Sequence, residues 1–407
     1  MKIKRRTFIA SSFCSTFGLG LASSAAPAFA AQTIKGKKLS KAELPTPALL
    51  VDLDMFEANL TKMAGHCKQA GCGFRPHAKT HKCPEIARRQ ISAGAKGICV
   101  ATVPEAEAMV KAGIPGVLLT SPIVEPGKIE RMVKLAATGK RVMLSVGHAL
   151  EAERLADAAR RKPMTVDVLI DVDVGDHRTG VLPGEPALRL AELIGKSKSL
   201  RLRGLQAYSG SATHVVGFPA RERASRAALA KALETRELLI KAGFELEILS
   251  GGSTGTYNID PGVGLTELQV GSFIFMDVNY RVIGGKDGNA IYSDFQPSLT
   301  VLTTVVNTNY SDHVSVDAGT KAFSSDSVDK PESKGWSGLA YRRLGDEFGA
   351  LTASDGGKLP RLGDRLEFIV PHCDPTVNLY DRIYAMRGDF VEAIWPIAAR
   401  KEFGNGV

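Results

Sequence analysis

The sequence predicts an α/β chain: a (β/α)8 TIM barrel followed by a smaller, mainly β C-terminal domain. Three observations predict it. From about residue 47 a helical pattern, a small residue with glycine and a short β-branched run recur in turn. Eight such runs fall within roughly 240 residues, the strand count and length of that barrel. Beyond about residue 285 the β-branched runs continue but the helices between them stop, as in a separate β layer. With 407 residues, 44% hydrophobic and 23% charged, the chain can bury a large core, and disordered and fibrous classes are excluded.

The elements follow in order. Residues 1–30 open with Lys2, Lys4, Arg5 and Arg6, continue in Ser, Gly and Ala without further charge, and end in Ala28-Phe29-Ala30. A basic start, a mildly apolar stretch and an A-x-A site make a signal peptide. Arg5-Arg6-Thr7-Phe8-Ile9 is similar to the twin-arginine signal, so the expected location is periplasmic, after export in folded form. The first helix carries Asp54 and Glu57 at capping-box spacing, and Phe56, Leu60, Met63 and Cys67 on one stripe. Helices are expected to stop at Gly71, Gly94, Gly113, Gly139 and Gly243, where glycine takes the left-handed conformation. Barrel strands are expected over 73–79, 97–102, 117–121, 141–146, 165–173, 201–208, 245–250 and 268–276. A doubly wound open sheet is the alternative, but the G-x-G-x-x-G fingerprint is absent from the first βα turn. Strands of the β domain are expected over 298–307, 313–317, 365–370, 381–386 and 390–394, with 330–361 a polar, glycine-rich loop. The expected division is therefore a signal over 1–30, a barrel over 48–285, and a β domain from 31–47 and 286–407.

Charge and cysteine usage narrow the partners. The four basic residues of the signal segment leave +5 of the chain's +9, with the remaining Lys and Arg interspersed among acids. No basic block of the kind that tracks nucleic acid remains, and stable membrane insertion of the mature chain is not expected. Five of the six cysteines follow the signal, too few for a disulfide scaffold. Mostly free thiols are expected, with a Cys67–Cys72 bridge as the alternative.

In a barrel the chemistry sits at the C-terminal ends of the strands. The first strand ends in Arg75-Pro76-His77-Ala78-Lys79-Thr80-His81-Lys82, with Arg75, His77 and Lys79 on one face by period two. A lysine among cations has its ammonium form disfavoured and is the better nucleophile; a basic strand end on the surface is the plainer reading. The fifth leads into Asp176-His177-Arg178-Thr179-Gly180, and the sixth ends in Tyr208, with His214 just beyond. The seventh opens into Gly251-Gly252-Ser253-Thr254-Gly255, a loop whose backbone N–H groups suit a phosphate. In the β domain, His372 and Asp374 lie two apart in Pro371-His372-Cys373-Asp374-Pro375. On an extended segment they would face the same way and suit a divalent cation such as Mn²⁺ or Zn²⁺ with open positions; an Asp–His hydrogen bond or a proline-bounded turn is the alternative.

Together, Leu44-Pro45-Thr46-Pro47, Pro76-His77-Ala78-Lys79-Thr80-His81-Lys82, Asp176-His177-Arg178-Thr179-Gly180, Ser250-Gly251-Gly252-Ser253-Thr254-Gly255 and His372-Cys373-Asp374-Pro375-Thr376 strongly resemble the D-threonine aldolase / D-serine dehydratase family. The resemblance spans nearly the whole mature chain, in order. It implies a barrel of alanine-racemase type, pyridoxal 5'-phosphate, a divalent metal and a homodimer acting on a small D-3-hydroxy amino acid. It implies that Lys79 holds the cofactor covalently, with His77 beside it, and that Arg178 meets the pyridine nitrogen. Tyr208 would flank the ring, and Gly252, Ser253, Thr254 and Gly255 would form the phosphate cup, helped by Gly271 and Ser272. His372 and Asp374 would hold the metal. Dehydratase members present His-x-Cys, suited to Zn²⁺; aldolase members present His-x-Asp, suited to Mn²⁺ or Mg²⁺. Asp374 therefore points to retro-aldol cleavage, of D-threonine to glycine and acetaldehyde, with Lys79, His372 and Asp374 as the catalytic set. A dehydratase giving a 2-oxo acid and ammonia is the nearest alternative; a racemase and a non-catalytic cofactor carrier are more distant ones. Phe348 departs from the family, which often has histidine there.

Overall fold

The computed structural model describes residues 39–354 and 357–400; the expected signal peptide lies outside them. The first strand, β1 (Ala48–Asp52), runs directly into α1 (Leu53–Gln69). Asp52 caps that helix, accepting the Asp54 and Met55 N–H groups at 3.1 Å. The cap is thus two residues earlier than the expected capping box, and Glu57 instead meets Arg387. Phe56, Leu60, Met63 and Cys67 are all buried, as the stripe predicts.

The repeating units follow: β2 (Gly73–Phe74), α2 (Pro84–Ser92), β3 (Ile98–Val100), α3 (Val103–Lys111), β4 (Val117–Leu119), α4 (Pro126–Ala136), β5 (Val142–Val146) and α5 (Ala149–Arg160). Then come β6 (Val166–Asp171), α6 (Glu185–Gly195), β7 (Leu200–Ala207), the short α7 (Gly210–Thr213), α8 (Phe218–Lys241), β8 (Ile248–Gly251), β9 (Glu267–Leu268) and α9 (Val278–Arg281). The five helix-stop glycines have φ between +64° and +98°. Strands β2 to β9 form one parallel sheet in the order β2-β9-β8-β7-β6-β5-β4-β3, and a parallel bridge between His77 and Cys99 joins its two ends. The eighth run pairs only over Glu267–Leu268 and then turns into a 3-10 helix at Ser272–Ile274; the expected strand over 268–276 is shorter for that reason. Alternate strand residues divide the interior. Ile98, Val100, Val168 and Ile170 pack among the surrounding helices, whereas Cys99, Leu118, Met143 and Leu169 form a separate cluster.

The second sheet contains β10 (Leu299–Asn307), β11 (Val314–Val316), β12 (Glu332–Lys334), β13 (Leu339–Arg343), β14 (Gly349–Ala353) and β15 (Arg365–Ile369). After the short α10 (Cys373–Val377) it ends with β16 (Arg382–Arg387) and β17 (Phe390–Pro396). Two expectations are corrected here. The 330–361 segment is not a loop: β12 pairs with β15, and β13 with β14. The barrel does not begin at 48, because β1 is hydrogen-bonded between β10 and β16 and belongs to this sheet. The sheet is tied to the barrel side through Trp395 of β17, which is fully buried against the edge of Phe56, ring centroids 5.8 Å apart. Cys67, Cys72, Cys83, Cys99 and Cys373 are all buried free thiols, so the Cys67–Cys72 bridge is not formed. Burial pushes the Cys67 thiol up to about 12 and that of Cys72 to about 11, far from thiolate chemistry.

Candidate active site

A cavity of about 360 Å³ opens at the C-terminal ends of the barrel strands, and His77, Lys79, Thr120, Arg178, Tyr208 and Ser253 are among its lining residues. Its floor is polar. Gln206 donates to Asp171 at 2.9 Å and to the Thr120 carbonyl at 3.0 Å, and accepts from Ser145 at 2.9 Å and Gln269 at 3.2 Å. These buried amides and hydroxyls satisfy one another, which keeps the barrel mouth open to a polar ligand instead of filling it with aliphatic side chains.

The strand-one lysine sits in a different field from the one expected. Arg75 points toward the opposite end of the barrel, paired with Glu267 through Nε–Oε1 at 2.8 Å and Nη2–Oε2 at 2.9 Å and bonded to the Gly116 carbonyl. His77 accepts no proton readily: burial first, and the Lys79 charge second, hold its imidazole well below the usual range. Lys79 itself forms an ion pair with Asp374. Burial alone would lower its ammonium, but the Asp374 carboxylate reverses this and holds it above the ordinary lysine value. The cation cluster read from period two is therefore corrected: the three residues stand at different depths, and the partner of Lys79 is an anion. The lysine with a lowered value is Lys82, through burial; its Nζ donates to the Lys79 carbonyl at 2.6 Å.

Asp374 is held where barrel and β domain of one chain meet. The segment is not extended throughout, as the sequence suggested: His372 has β-region dihedrals and caps α10, and Asp374 lies in that helix's first turn. Buried Asp277 accepts the Cys373 N–H at 2.9 Å and the Tyr280 N–H at 3.0 Å, fixing the backbone between the two expected ligands. The His372 Nδ1 faces Asp326 Oδ2 at 2.6 Å, which leaves Nε2 as the nitrogen that could take a cation, with the kind of carboxylate partner common behind histidine ligands. Asp374 is held far below the carboxylate range; burial opposes this, and the charges of Lys79 and then His372 outweigh it. Among the described residues no group of three or more His, Cys, Asp or Glu side chains converges on one point. An imidazole and an ionised carboxylate would thus give a cation two positions and leave the others to water or substrate.

The loop after β6 is pinned from both sides. Asp176 accepts the Gly210 N–H at 2.5 Å and the Ser211 hydroxyl at 2.6 Å, while Thr179 donates to Asp171 at 2.9 Å. This leaves Arg178 over the cavity, its guanidinium carbon 5.3 Å from the Tyr208 ring centre. Ser253, Thr254, Gly271 and Ser272 line the other side. Gly252 has φ +71°, and a Cβ there would lie 2.6 Å from Asp260. A Cβ on Gly271 would lie 2.5 Å from the Thr80 hydroxyl, and one on Gly255 would lie 2.2 Å from the Thr213 carbonyl. Gly252 and Gly255 shape the loop from behind without lining the cavity. The cradle of Gly271 and the Ser253, Thr254 and Ser272 hydroxyls fits a phosphate, with Lys79 and Arg178 lining the same cavity, which suits pyridoxal phosphate.

Several residues around the site were given no role from the sequence, although His214 was noted beyond Tyr208. Tyr280 lines the cavity from α9, and His214 packs on it with ring centroids 4.6 Å apart. Burial, then the His372 charge, lowers the His214 imidazole below its usual value, so it stays neutral. His214 follows Tyr208 by six residues, a signal available in the loop position; Asp277, Asp326 and Tyr280 carry none. Phe348 lies in the turn between β13 and β14, half exposed, and does not line this cavity.

Comparison with known proteins places these features together. The family profile described as alanine racemase, N-terminal domain, matches residues 51–279, and that described as putative serine dehydratase domain matches residues 298–386. The chain is 37% identical over 360 residues to a D-threonine aldolase of Arthrobacter sp., covering 88% of this chain and 93% of the relative. It is 34% identical over 365 residues to a 3-hydroxy-D-aspartate aldolase of Paracoccus denitrificans, covering 89% and 94%. The crystal structure of D-threonine aldolase from Filomicrobium marinum superposes with a TM-score of 0.85 at 36% identity, covering 90% of this chain and 98% of that one.

Proposed function

The chain belongs to the family of alanine-racemase-type barrels joined to a putative serine dehydratase domain, and on that premise we propose that it cleaves D-3-hydroxy amino acids by a retro-aldol reaction with pyridoxal phosphate and a divalent cation. When bound, the pyridine ring would draw in the electron pair left on Cα and the cation would acidify the 3-hydroxyl. Lys79 supplies the amine that holds the cofactor, at the mouth where Asp374 approaches from the β domain. Arg178, which lines the cavity, would meet the pyridine nitrogen; as a guanidinium it donates a hydrogen bond but no proton, which would temper the electron sink. Ser253, Thr254, Gly271 and Ser272 hold the phosphate. Neutral His214 takes the 3-hydroxyl proton on its imidazole as the Cα–Cβ bond breaks, so D-threonine yields acetaldehyde and, after Cα is reprotonated, glycine.

One observation carries the choice of reaction. The oxygen donor Asp374 is paired with Lys79, which lines the cavity, whereas Cys373 is fully buried and its amide is held by Asp277. The site thus offers an N/O donor pair, which favours Mn²⁺ or Mg²⁺ over Zn²⁺. Incubating the purified protein with D-threonine and Mn²⁺ should release acetaldehyde, and chelation should stop it. Release of 2-oxobutanoate instead would support the dehydratase reading, which the dehydratase-type C-terminal domain favours. We also propose that the protein is a homodimer, testable by light scattering. Export is proposed from Arg5–Arg6 and Ala28-Phe29-Ala30; a periplasmic product beginning at Ala31 is the expected result.

A further inference from the structure

A buried acid lies beneath the phosphate cup, and the proposed reaction does not use it. Asp260 is 1% exposed. Its two oxygens accept the hydroxyls of Ser225, in α8, and of Thr256, each at 2.5 Å. The Thr256 oxygen lies 3.2 Å from both the Ser253 hydroxyl and the Ser253 N–H. The Ser253 hydroxyl in turn meets that of Thr213, which stands 3.4 Å from the Tyr280 hydroxyl. An unbroken chain of hydrogen bonds therefore runs from Asp260 to the cavity wall at Ser253. Facing the acid are Arg226 from α8 and the Cys72 thiol from the turn before β2; no ion pair to it is formed among the described residues.

The direction of this chain depends on the acid. A charged carboxylate only accepts, so it takes the Thr256 proton. Thr256 can then only accept from Ser253, so the Ser253–Thr256 hydroxyl bond is kept only if Ser253 turns its proton toward Thr256, away from the cup. A protonated Asp260 can donate to Thr256, Thr256 can donate to Ser253, and the Ser253 proton is free to meet an anion. We propose that Asp260 is a positioning residue which, through Thr256, decides whether Ser253 presents its proton to the cofactor's phosphate, so that phosphate binding draws one proton from solvent onto Asp260. The inference rests on the cofactor reading above. Burial already raises the Asp260 carboxyl to about 6, against the two hydroxyl donors, so the proton is within reach near neutral pH.

The test uses the full chain stripped of cofactor, with two ligands that cannot condense with Lys79: pyridoxamine 5'-phosphate and pyridoxamine. The ratio of their dissociation constants isolates the phosphate site. Between about pH 5 and 8 the wild-type advantage of the phosphorylated ligand should fall, relative to Asp260→Asn, by up to about tenfold per pH unit above the acid's own value. The phosphate's own ionisation is common to all variants and cancels in that comparison. Asp260→Asn and Thr256→Val, which breaks the chain with the acid intact, should share one flatter profile. Calorimetry in buffers of different ionisation enthalpy should show a proton taken up by the wild type and not by Asp260→Asn. Identical profiles for wild type and both variants, or a selective loss of the phosphorylated ligand at every pH in Asp260→Asn, would overturn the proposal. If the wild type binds neither ligand, the cofactor reading itself falls, and this inference with it.

Discussion

Replacing Asp277 separates the scaffold of the proposed metal site from its ligands. The carboxylate is fully buried and accepts two backbone N–H groups, from Cys373 at 2.9 Å and Tyr280 at 3.0 Å. Hydrogen bonds to charged groups contribute about 1.5–3 kcal/mol each. Asp277→Ala removes both and strands two buried donors, so it should cost roughly 3–5 kcal/mol. Asp277→Asn keeps one acceptor oxygen but turns its NH₂ toward the other N–H, a loss of about 2 kcal/mol. Because the lost contact fixes the peptide between His372 and Asp374, Mn²⁺ affinity should fall by roughly 10–100-fold, as for other residues that orient metal ligands. Urea unfolding measures the first quantity, and Mn²⁺ titration followed by electron paramagnetic resonance the second, with His372→Ala as the reference for a lost ligand. If Asp277→Asn loses stability while its Mn²⁺ affinity stays within about threefold of wild type, the residue only holds the fold and the positioning argument is wrong.

Three further outcomes are expected. Asp374→Asn removes the anion that holds the Lys79 ammonium above its ordinary value, so the pH at which Lys79 becomes a free amine should drop; an unchanged midpoint in the pH titration of cofactor absorbance would contradict this. Gly271→Ala places a Cβ 2.5 Å from the Thr80 hydroxyl at the cavity wall, and should weaken cofactor binding by roughly tenfold while leaving the far-ultraviolet spectrum unaltered. His81 is buried, and burial lowers its imidazole to about 3 from an ordinary 6.5. Its folded value lies below the unfolded one, so its contribution is complete above about pH 6.5 and is lost as the pH falls toward 3, at up to about 1.4 kcal/mol per pH unit; unfolding curves of His81→Gln should lack that slope.

The barrel rhythm was legible because each part of it is encoded within a few residues. A stripe such as Phe56–Leu60–Met63–Cys67 and a glycine such as Gly71 act on their own turn of chain, and repetition of that unit gives the fold class. The strands over 330–361 were not legible for the opposite reason. Glu332–Lys334 is short and polar, and it becomes a strand only because β15 offers an edge more than thirty residues later. The same holds for Ala48–Asp52, whose neighbours are β10 and β16.

The candidate site divides in the same way. The residues of the strand ends and glycine loop could be listed from sequence, since a barrel brings its C-terminal loops to one mouth. Their electrostatics could not. Arg75, His77 and Lys79 read as a cation cluster along the chain, yet Glu267 neutralises the first, burial the second, and Asp374, 295 positions away, the third. Asp277 and Asp326 orient the proposed ligands from loops with no signature of their own. Helices, turns and strands answer to spacing along the sequence, so composition and period sufficed for them. Proton affinity and ligand geometry answer to distance and dielectric in space, which arise only when remote segments pack against one another.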